Sequence, residues 1–294
     1  MKILIHGRAF PVAMWRFFDW AFRDLGHEVI SVGCYNGDWI PWGGGMNLGY
    51  DFPPDIQIPE MESYPLSDVL NKLPWTPDMI LQASDVTYLY GPSNGIPNVI
   101  LATDPHAVDY IPRLKDASHF ACMQECYLNK YDFKNKFWIP YAYSENIHKN
   151  LRLERDIDVS CIGLQYDTRV NVMGELDRLG YKVSFGIGKV YDEYVDMYNR
   201  SKIAFVATSK DDLPARFWEG LAMGCCVVTN HVPDLDLLQF VGGKDYMLYE
   251  SDPVSTVVNL LKSGEWDKHR VNVMPLGCEY KDRAKEILKH VFNA

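Results

Sequence analysis

One segment in the last third of the chain combines acidic, basic and small residues at spacings suited to an anionic, hydroxylated ligand. It runs from Asp211 to Asn230, with the sequence DDLPARFWEGLAMGCCVVTN. An arginine such as Arg216 can donate two parallel hydrogen bonds to phosphate oxygens. A carboxylate such as Glu219 only accepts hydrogen bonds and can take two hydroxyl groups at once. Apolar residues at helical spacing predict a helix that ends at Gly224, and the β-branched run after it predicts a buried strand. The charged residues would then lie at the carboxyl edge of a parallel sheet, which is where open α/β sheets bind ligands.

The segment resembles the donor-binding segment of GT-B glycosyltransferases, above all the group-1 families and the CgeB-like spore-maturation branch. Those proteins carry E-x7-E, or a reduced R-x-x-E, followed by G-x-A-x-G and a strand. Asp211 and Glu219 have the spacing of the two glutamates, with aspartate in the first place. The rest of the pattern is matched by Arg216, Gly220, Ala222 and Gly224. The resemblance implies that Glu219 accepts hydrogen bonds from the ribose hydroxyls of a nucleotide, and that Asp211 is a catalytic candidate. The alternative is a buried helix with a charged N-terminus, which every α/β enzyme has.

The leaving diphosphate of a nucleotide sugar needs positive charge, because negative charge develops there in the transition state. Arg169 is our first candidate, since Gly163 and Arg169 resemble the G-x5-R loop after the first strand of the family's second domain. Its alternative is an ordinary surface arginine at a helix start. Arg216 is the second candidate, and its alternative is an ion pair with Asp212 or Glu219.

Gly186 ends a later strand and is a candidate contact for the nucleotide base, or only part of a turn. No D-x-D motif stands clearly at a strand end; Asp234 and Asp236 have that spacing, but we interpret them as a helix cap. The resemblance implies an enzyme that needs neither cofactor nor metal, takes a nucleotide-sugar donor, specifically a UDP-sugar, and retains the configuration of the sugar.

Candidates for the acceptor side lie in the first half of the chain. Asp104 and His106 follow an apolar strand and could act as base or orient the acceptor. Asp104 could equally cap the next helix. His6 and Arg8 follow the first strand, although a lone histidine is more often structural. Trp42 lies in a long aromatic, turn-rich loop over 35–59, which could stack on a sugar or base, or cap the core as an Ω-loop.

Composition limits the partners. The 294 residues carry a formal net charge of -10, and neither half of the chain is basic. The charge totals therefore show no excess of basic residues of the kind that binds nucleic acid. Seven scattered cysteines suggest thiols in a reducing compartment. No signal peptide or run of bilayer length is present, so we expect a cytoplasmic protein without stable membrane insertion. The acceptor is a polysaccharide, a small molecule, a protein or modified DNA.

Strands alternating with helices predict an α/β protein with two Rossmann-like domains facing across a cleft, the GT-B architecture. We place an acceptor-binding domain at 1–145, a nucleotide-sugar-binding domain at 146–278, and a helix at 279–294 that could cross back to the first domain. A DNA-modifying glycosyltransferase, a nucleotide-sugar epimerase and a non-catalytic binding protein remain as alternatives. The main predicted strands are 2–6, 28–32, 79–82, 98–102, 119–122, 136–139, 157–163, 181–186, 202–207, 225–229 and 246–249. The main predicted helices are 12–25, 168–180, 190–200, 214–223, 253–263 and 279–292.

Overall fold

The protein's computed structural model describes residues 1–10, 12–35, 37, 39–40, 46–50 and 52–293. Its strands are β1 (Lys2–His6), β2 (Glu28–Gly33), β3 (Trp39–Ile40), β4 (Met46–Asn47), β5 (Ile56–Gln57), β6 (Ser63–Pro65), β7 (Met79–Gln82), β8 (Tyr88–Tyr90), β9 (Asn98–Ala102), β10 (His119–Cys122), β11 (Lys136–Trp138), β12 (Ile157–Ile162), β13 (Val183–Gly186), β14 (Ser201–Val206), β15 (Cys226–Asn230) and β16 (Met247–Tyr249). Its helices are α1 (Trp15–Asp24), α2 (Leu66–Leu70), α3 (Ile111–Leu114), α4 (Glu125–Leu128), α5 (Asp167–Arg178), α6 (Tyr191–Arg200), α7 (Arg216–Ala222), α8 (Pro253–Ser263) and α9 (Tyr280–Phe292), with 3-10 turns at Pro233–Leu237 and Glu265–His269.

The chain folds into two compact units. The first is built from Met1–Ile40, Asn47–Pro140 and the C-terminal segment that starts at Tyr280, and the second from Tyr141–Glu279. Each unit has a parallel sheet flanked by helices, which is why the central strands are continuous apolar runs rather than alternating ones. This arrangement is α/β, as the alternation of strands and helices predicts.

The sheet of the first unit has the strand order β11-β10-β9-β7-β1-β2-β5, and every recorded pairing is parallel. Leu4 and Ile80 pack with α2 on one face. Their neighbours Ile3 and Ile5 point to the other face, because side chains alternate along a strand, and they too are fully buried. Both faces are therefore covered, and the carboxyl ends of β1, β7 and β9 meet at one edge.

The sheet of the second unit has the order β13-β12-β14-β15-β16, again parallel throughout. One face packs Val159, Ile203 and Val228 against α5 and α8. The strand order reverses at β12, because β13 and β14 flank it on opposite sides. Such a reversal leaves a crevice at the carboxyl ends of the strands, where open sheets bind ligands.

Most predicted elements lie within two residues of their observed bounds, but three details differ. Helix α1 starts at Trp15 rather than at residue 12. The loop predicted over 35–59 contains the short strands β3, β4 and β5 in its described part. No helix follows Asp104 directly: its carbonyl closes a turn by accepting from the backbone N–H groups of Ala107 and Val108, and α3 begins only at Ile111. The cap interpretation of Asp104 is therefore wrong.

Among the described residues, no helix combines the length and apolarity needed to cross a membrane.

Candidate functional site

The carboxyl ends of β12 and β13 are joined through two glycines. Gly163 has φ 131° and Gly186 has φ 154°, values that side-chain-bearing residues rarely adopt. The backbone N–H of Gly163 donates to the carbonyl of Gly186 at 3.0 Å. Both candidate glycines therefore lie together at the strand-order reversal, and a Cβ built on Gly186 would meet nothing within 4 Å.

Arg169, on the first turn of α5, is 3% exposed and bound to main-chain carbonyls. Its Nε and Nη2 donate to the carbonyl of Ala207 at 3.1 and 2.7 Å, and its Nη1 donates to that of Leu164 at 3.0 Å. Burial, and then the neighbouring charge of Arg216, lower its pKa from the usual arginine value. Arg169 thus ties the loop after β12 to the loop after β14 and adds positive charge between them.

Arg216, the first residue of α7, brings a second guanidinium to the same place. A Cβ atom built on Gly163 would lie 3.1 Å from Cζ of Arg216 and 3.2 Å from Nη1 of Arg169. Among the described residues, no carboxylate is within ion-pair distance of Arg216 and no acceptor takes a hydrogen bond from it. The predicted alternative, an ion pair with Asp212 or Glu219, is therefore not formed.

Glu219 is a buried carboxylate one turn along α7, 7% exposed. The hydroxyl of Tyr194 on α6 donates to its Oε2. Nε2 of His148 faces its Oε1 at 3.5 Å. Nδ1 of His148 accepts from the backbone N–H of Ser144 at 3.0 Å, so the ring proton of the neutral imidazole lies on Nε2, towards Glu219.

Gly220 faces the sheet rather than the ligand side of α7. A Cβ on it would lie 3.1 Å from Cγ2 of Val227 and 3.2 Å from Cβ of Ala204. The glycine lets α7 approach β14 and β15 closely, which positions Arg216 and Glu219.

Asp211 lies in the loop between β14 and α7 and is exposed. Lys210 and Asp211 have φ 55° and 57°, two consecutive left-handed residues that carry side chains. Asn230 anchors the start of this loop: its Oδ1 accepts from the backbone N–H of Thr208 and its Nδ2 donates to Oγ1 of Thr208. Strain of this kind persists where the surroundings fix the backbone, which is common at functional sites.

In the first unit, His6 at the end of β1 is fully buried. Its Nε2 faces Oγ1 of Thr87 at 3.4 Å, and its Nδ1 has no hydrogen-bond partner in the described part of the chain. Burial, and then the charge of Arg113, lower the pKa of His6 to about 3. His6 is therefore neutral at physiological pH.

A pocket of about 660 Å³ opens at the carboxyl edge of this sheet. Arg8 lines it and forms an ion pair with Glu60 at 2.5 Å. Arg113, which also lines it, donates to the carbonyls of Ser84 and Asp85. The remaining polar lining includes Glu62, Asp85, Thr87, Tyr88 and Asp109. Four carboxylates against two internally bound arginines make this pocket net negative.

Asp104 and His106 are half-buried in the turn after β9. Burial, and then the charge of Asp104, raise the pKa of Asp85, so two carboxyl groups stand near one another at this edge. The ring of His106 lies 6.4 Å from that of Tyr127. Asp104 thus acts on a group that lines the pocket, whereas His106 is not among the lining residues.

Trp42 lies outside the described residues. Phe52, from the same aromatic loop, packs on α1, with its ring 5.8 Å from Trp20 and 5.0 Å from the guanidinium of Arg16. This part of the loop covers α1, as the core-capping interpretation predicts.

Sequence reasoning missed Tyr194, His148 and the acidic pocket. Tyr194 and Tyr198 stand four residues apart on an amphipathic helix, so the sequence predicts that they share one face of it. The spacing does not predict that a carboxylate contacts either of them. His148 lies at the start of the domain predicted over 146–278, and nothing local to it in the sequence points to Glu219.

Comparison with known proteins agrees with this arrangement. Residues 144–272 match the model of a family described as glycosyl transferase-like. Among curated proteins, no sequence matches the chain. The solved structure of the pneumococcal O-GlcNAc transferase GtfA in complex with UDP and GlcNAc is similar with TM-score 0.62 and 9% identity, over 100% of this chain and 99% of that one.

Two further solved structures are similar over almost the whole chain. An alpha-glucosyltransferase in complex with UDP and a 13-mer DNA with a central A:G mismatch has TM-score 0.60 and 11% identity, over 99% of this chain and 96% of that one. Sucrose-phosphate synthase from Thermosynechococcus elongatus has TM-score 0.54 and 13% identity, over 100% and 97%. Identities this low establish the fold alone: this chain has the GT-B fold, and its residues 144–272 match a family model described as glycosyl transferase-like.

Proposed function

We propose that the protein is a glycosyltransferase that moves a sugar from a UDP-sugar to an acceptor hydroxyl. The observation that carries the proposal is the unpaired guanidinium of Arg216, which shares the space beside Gly163 with Arg169. Two neighbouring cations repel each other, and a diphosphate bound beside them would relieve this repulsion. Two of the structures named above are complexes with UDP, and they support this choice of donor.

In this proposal, each part of the nucleotide sugar is bound by a named residue of the second unit. Arg216 binds the diphosphate through its guanidinium fork, while Arg169 holds both loops and adds charge. Glu219 accepts from the ribose hydroxyls, and the backbone at Gly186 meets the base. Asp211 orients the sugar. Because protein cations stabilise the leaving group, we propose a reaction that needs no metal ion and retains configuration, as in the group-1 or CgeB-like branch.

For the acceptor, we propose the pocket of the first unit, with Arg8 in its wall and His6 beneath Thr87. Asp104 and His106 remain the candidates for proton transfer or acceptor orientation. The net negative lining favours a neutral hydroxylated acceptor, such as a small molecule or a glycan of a polysaccharide or protein, over a polyanion. A modified DNA acceptor is correspondingly disfavoured. We place the reaction in the cytoplasm, in keeping with seven free cysteines.

Turnover separates the alternatives. A transferase releases the nucleoside diphosphate, an epimerase interconverts sugars without net release of it, and a binding protein does neither.

Nucleotide binding by calorimetry tests the donor site. We expect UDP to bind wild type more tightly than uridine, and Arg216→Met to weaken UDP about 10- to 100-fold, the value of hydrogen bonds to a charged group, while uridine binding is unchanged. The melting temperature of the ligand-free variant should not fall, since an unpaired partly buried charge is removed. The matched control is Arg178→Met, on the exposed face of α5, which should leave both affinities unchanged. Equal loss for UDP and uridine would make Arg216 structural, and no binding of any nucleotide to wild type would refute the proposed function.

A further inference from the structure

Arg216 and Glu219 stand three residues apart on α7, yet their opposite charges do not pair. Residues at this spacing are neighbours on a helix surface and normally attract each other. The charge of Glu219 does act on Arg216, since it helps to raise the pKa of Arg216 against the opposing effect of burial. Something therefore restrains one of the two side chains.

The restrained group is the carboxylate of Glu219. One oxygen accepts from the hydroxyl of Tyr194, and the other faces the N–H of His148. Donors on both oxygens fix the plane of the carboxylate and direct it away from the first residue of α7. The Tyr194 hydroxyl is the closer of the two donors, whereas Nε2 of His148 lies 3.5 Å from its oxygen, so Tyr194 is the stronger restraint.

Tyr194 is itself held by aromatic packing. Its ring meets Tyr198 edge-on with the centroids 4.7 Å apart, and meets His148 edge-on at 6.0 Å. Tyr198 is fully buried. Burial, and then the charge of Glu219, raise the pKa of Tyr194 well above the usual value, so its hydroxyl keeps its proton and remains a donor. The hydroxyl is thus placed by the core of the unit and not by Glu219 alone.

We propose that Tyr194, supported by His148, is a positioning residue that holds Glu219 apart from Arg216 and so keeps both groups available to a nucleotide. The part that concerns ligands rests on the proposed donor site. Without the hydroxyl, Glu219 turns to Arg216, and one ion pair then removes the partner of the ribose and the partner of the diphosphate together.

The restraint can be tested without a ligand. In a crystal structure of Tyr194→Phe, we expect a carboxylate oxygen of Glu219 within ion-pair distance of the Arg216 guanidinium. The control is Tyr246→Phe, a change at another buried tyrosine that packs on α7, with ring centroids 5.2 Å from Phe217. It should leave Arg216 and Glu219 apart. If they also stay apart in Tyr194→Phe, the proposal is overturned.

Three ligands then separate a positioning role from a structural one. The affinity ratio of UDP to uridine reports the diphosphate contacts, and the ratio of UDP to 2′,3′-dideoxy-UDP reports the ribose contacts. Tyr194→Phe should lower both ratios about tenfold, the value of one hydrogen bond to a charged group. A purely structural defect would weaken all three ligands equally and leave the ratios unchanged, which would also overturn the proposal.

A double variant gives the sharpest outcome. Tyr194→Phe with Glu219→Gln has no carboxylate to pair with Arg216, so the UDP-to-uridine ratio should recover towards wild type while the ribose ratio stays low. No recovery would count against the proposal. If the crystal structure shows the ion pair but wild type binds no nucleotide, the restraint stands and the proposed donor function falls.

Discussion

At the scale of single residues, the two candidate sites contain groups that the fold leaves incompletely paired. Arg216 has no carboxylate partner among the described residues, and Nδ1 of the buried His6 has no hydrogen-bond partner there. Lys210 and Asp211 hold left-handed backbone conformations. Such groups cost free energy of folding and persist when the surrounding packing fixes them, so they mark places where a ligand can contribute what the protein does not.

His6 gives a pH prediction at this scale. Its folded pKa of about 3 lies below the ordinary value of 6.5, so the unfolded state takes up its proton first as the pH falls. The stability that this histidine contributes is complete above pH 6.5 and is lost between pH 6.5 and about 3, by about 2 kcal/mol at pH 5. His6→Gln should therefore lose about 2 kcal/mol less than wild type between pH 7 and 5, measured by urea unfolding. His231→Gln, at an exposed histidine, is the control and should follow wild type.

At the scale of elements, the donor candidates depend on how closely α7 sits on its sheet. Arg216 begins this helix, Glu219 lies one turn on, and Gly220 touches β14 and β15. The helix has only seven residues, so packing rather than intrinsic helix propensity holds it in place. Displacing α7 would move both charged groups at once.

Two glycine substitutions test this dependence. Gly220→Ala places a methyl group 3.1 Å from Val227 and should destabilise the protein by about 1 to 3 kcal/mol, with weaker UDP binding. Gly174→Ala on α5 meets nothing within 4 Å and should stabilise it by up to about 1 kcal/mol, because alanine is the better helix former. Denaturant melts and UDP titrations of both variants measure the effects. A Gly220→Ala protein as stable as wild type would contradict the close-packing argument.

At the scale of the whole molecule, the chain leaves the first unit at Pro140 and returns to it with α9. Nε of Arg283 on α9 donates to the carbonyl of Pro140 at 2.9 Å, so α9 is hydrogen-bonded to the last residue before the chain leaves the first unit. The ring of Tyr280 stacks on Phe17 with centroids 4.8 Å apart, and its hydroxyl donates to Sδ of Met14 at 3.0 Å. The first unit therefore includes the end of the chain.

Removing this attachment should weaken the first unit and spare nucleotide binding. Tyr280 is 2% exposed, and Tyr280→Ala should cost about 3 to 5 kcal/mol of unfolding free energy. UDP affinity should remain that of wild type while the protein is folded, because the proposed donor residues all lie in the second unit. Lys289→Ala, at an exposed position on the same helix, should change stability by less than about 0.5 kcal/mol. An unfolding midpoint of Tyr280→Ala equal to that of the control would count against the attachment.

The sequence by itself determined the principal strands and helices and the α/β fold class. Central strands such as Asn98–Ala102 and Ile157–Ile162 are short apolar runs between turn residues, and the helix that ends before Gly224 has a clear stop signal. These patterns involve only residues close together in the sequence, so the spacing of apolar residues and the positions of turn-forming residues are enough to predict the elements. Helix starts such as that of α1 are less certain, because several residues can begin the same helix.

Only the tertiary structure decided which side chains meet. The sequence favours Arg169 as the ligand of the diphosphate, yet in the fold its guanidinium donates to the carbonyls of Leu164 and Ala207. Glu219 is held by Tyr194 and His148, which lie 25 and 71 positions before it in the sequence. Such contacts depend on strand order and on how closely each helix packs, and neither leaves a periodic mark on the chain. The sequence thus supplies the charged groups of the site, while the fold decides which of them stay available to a ligand.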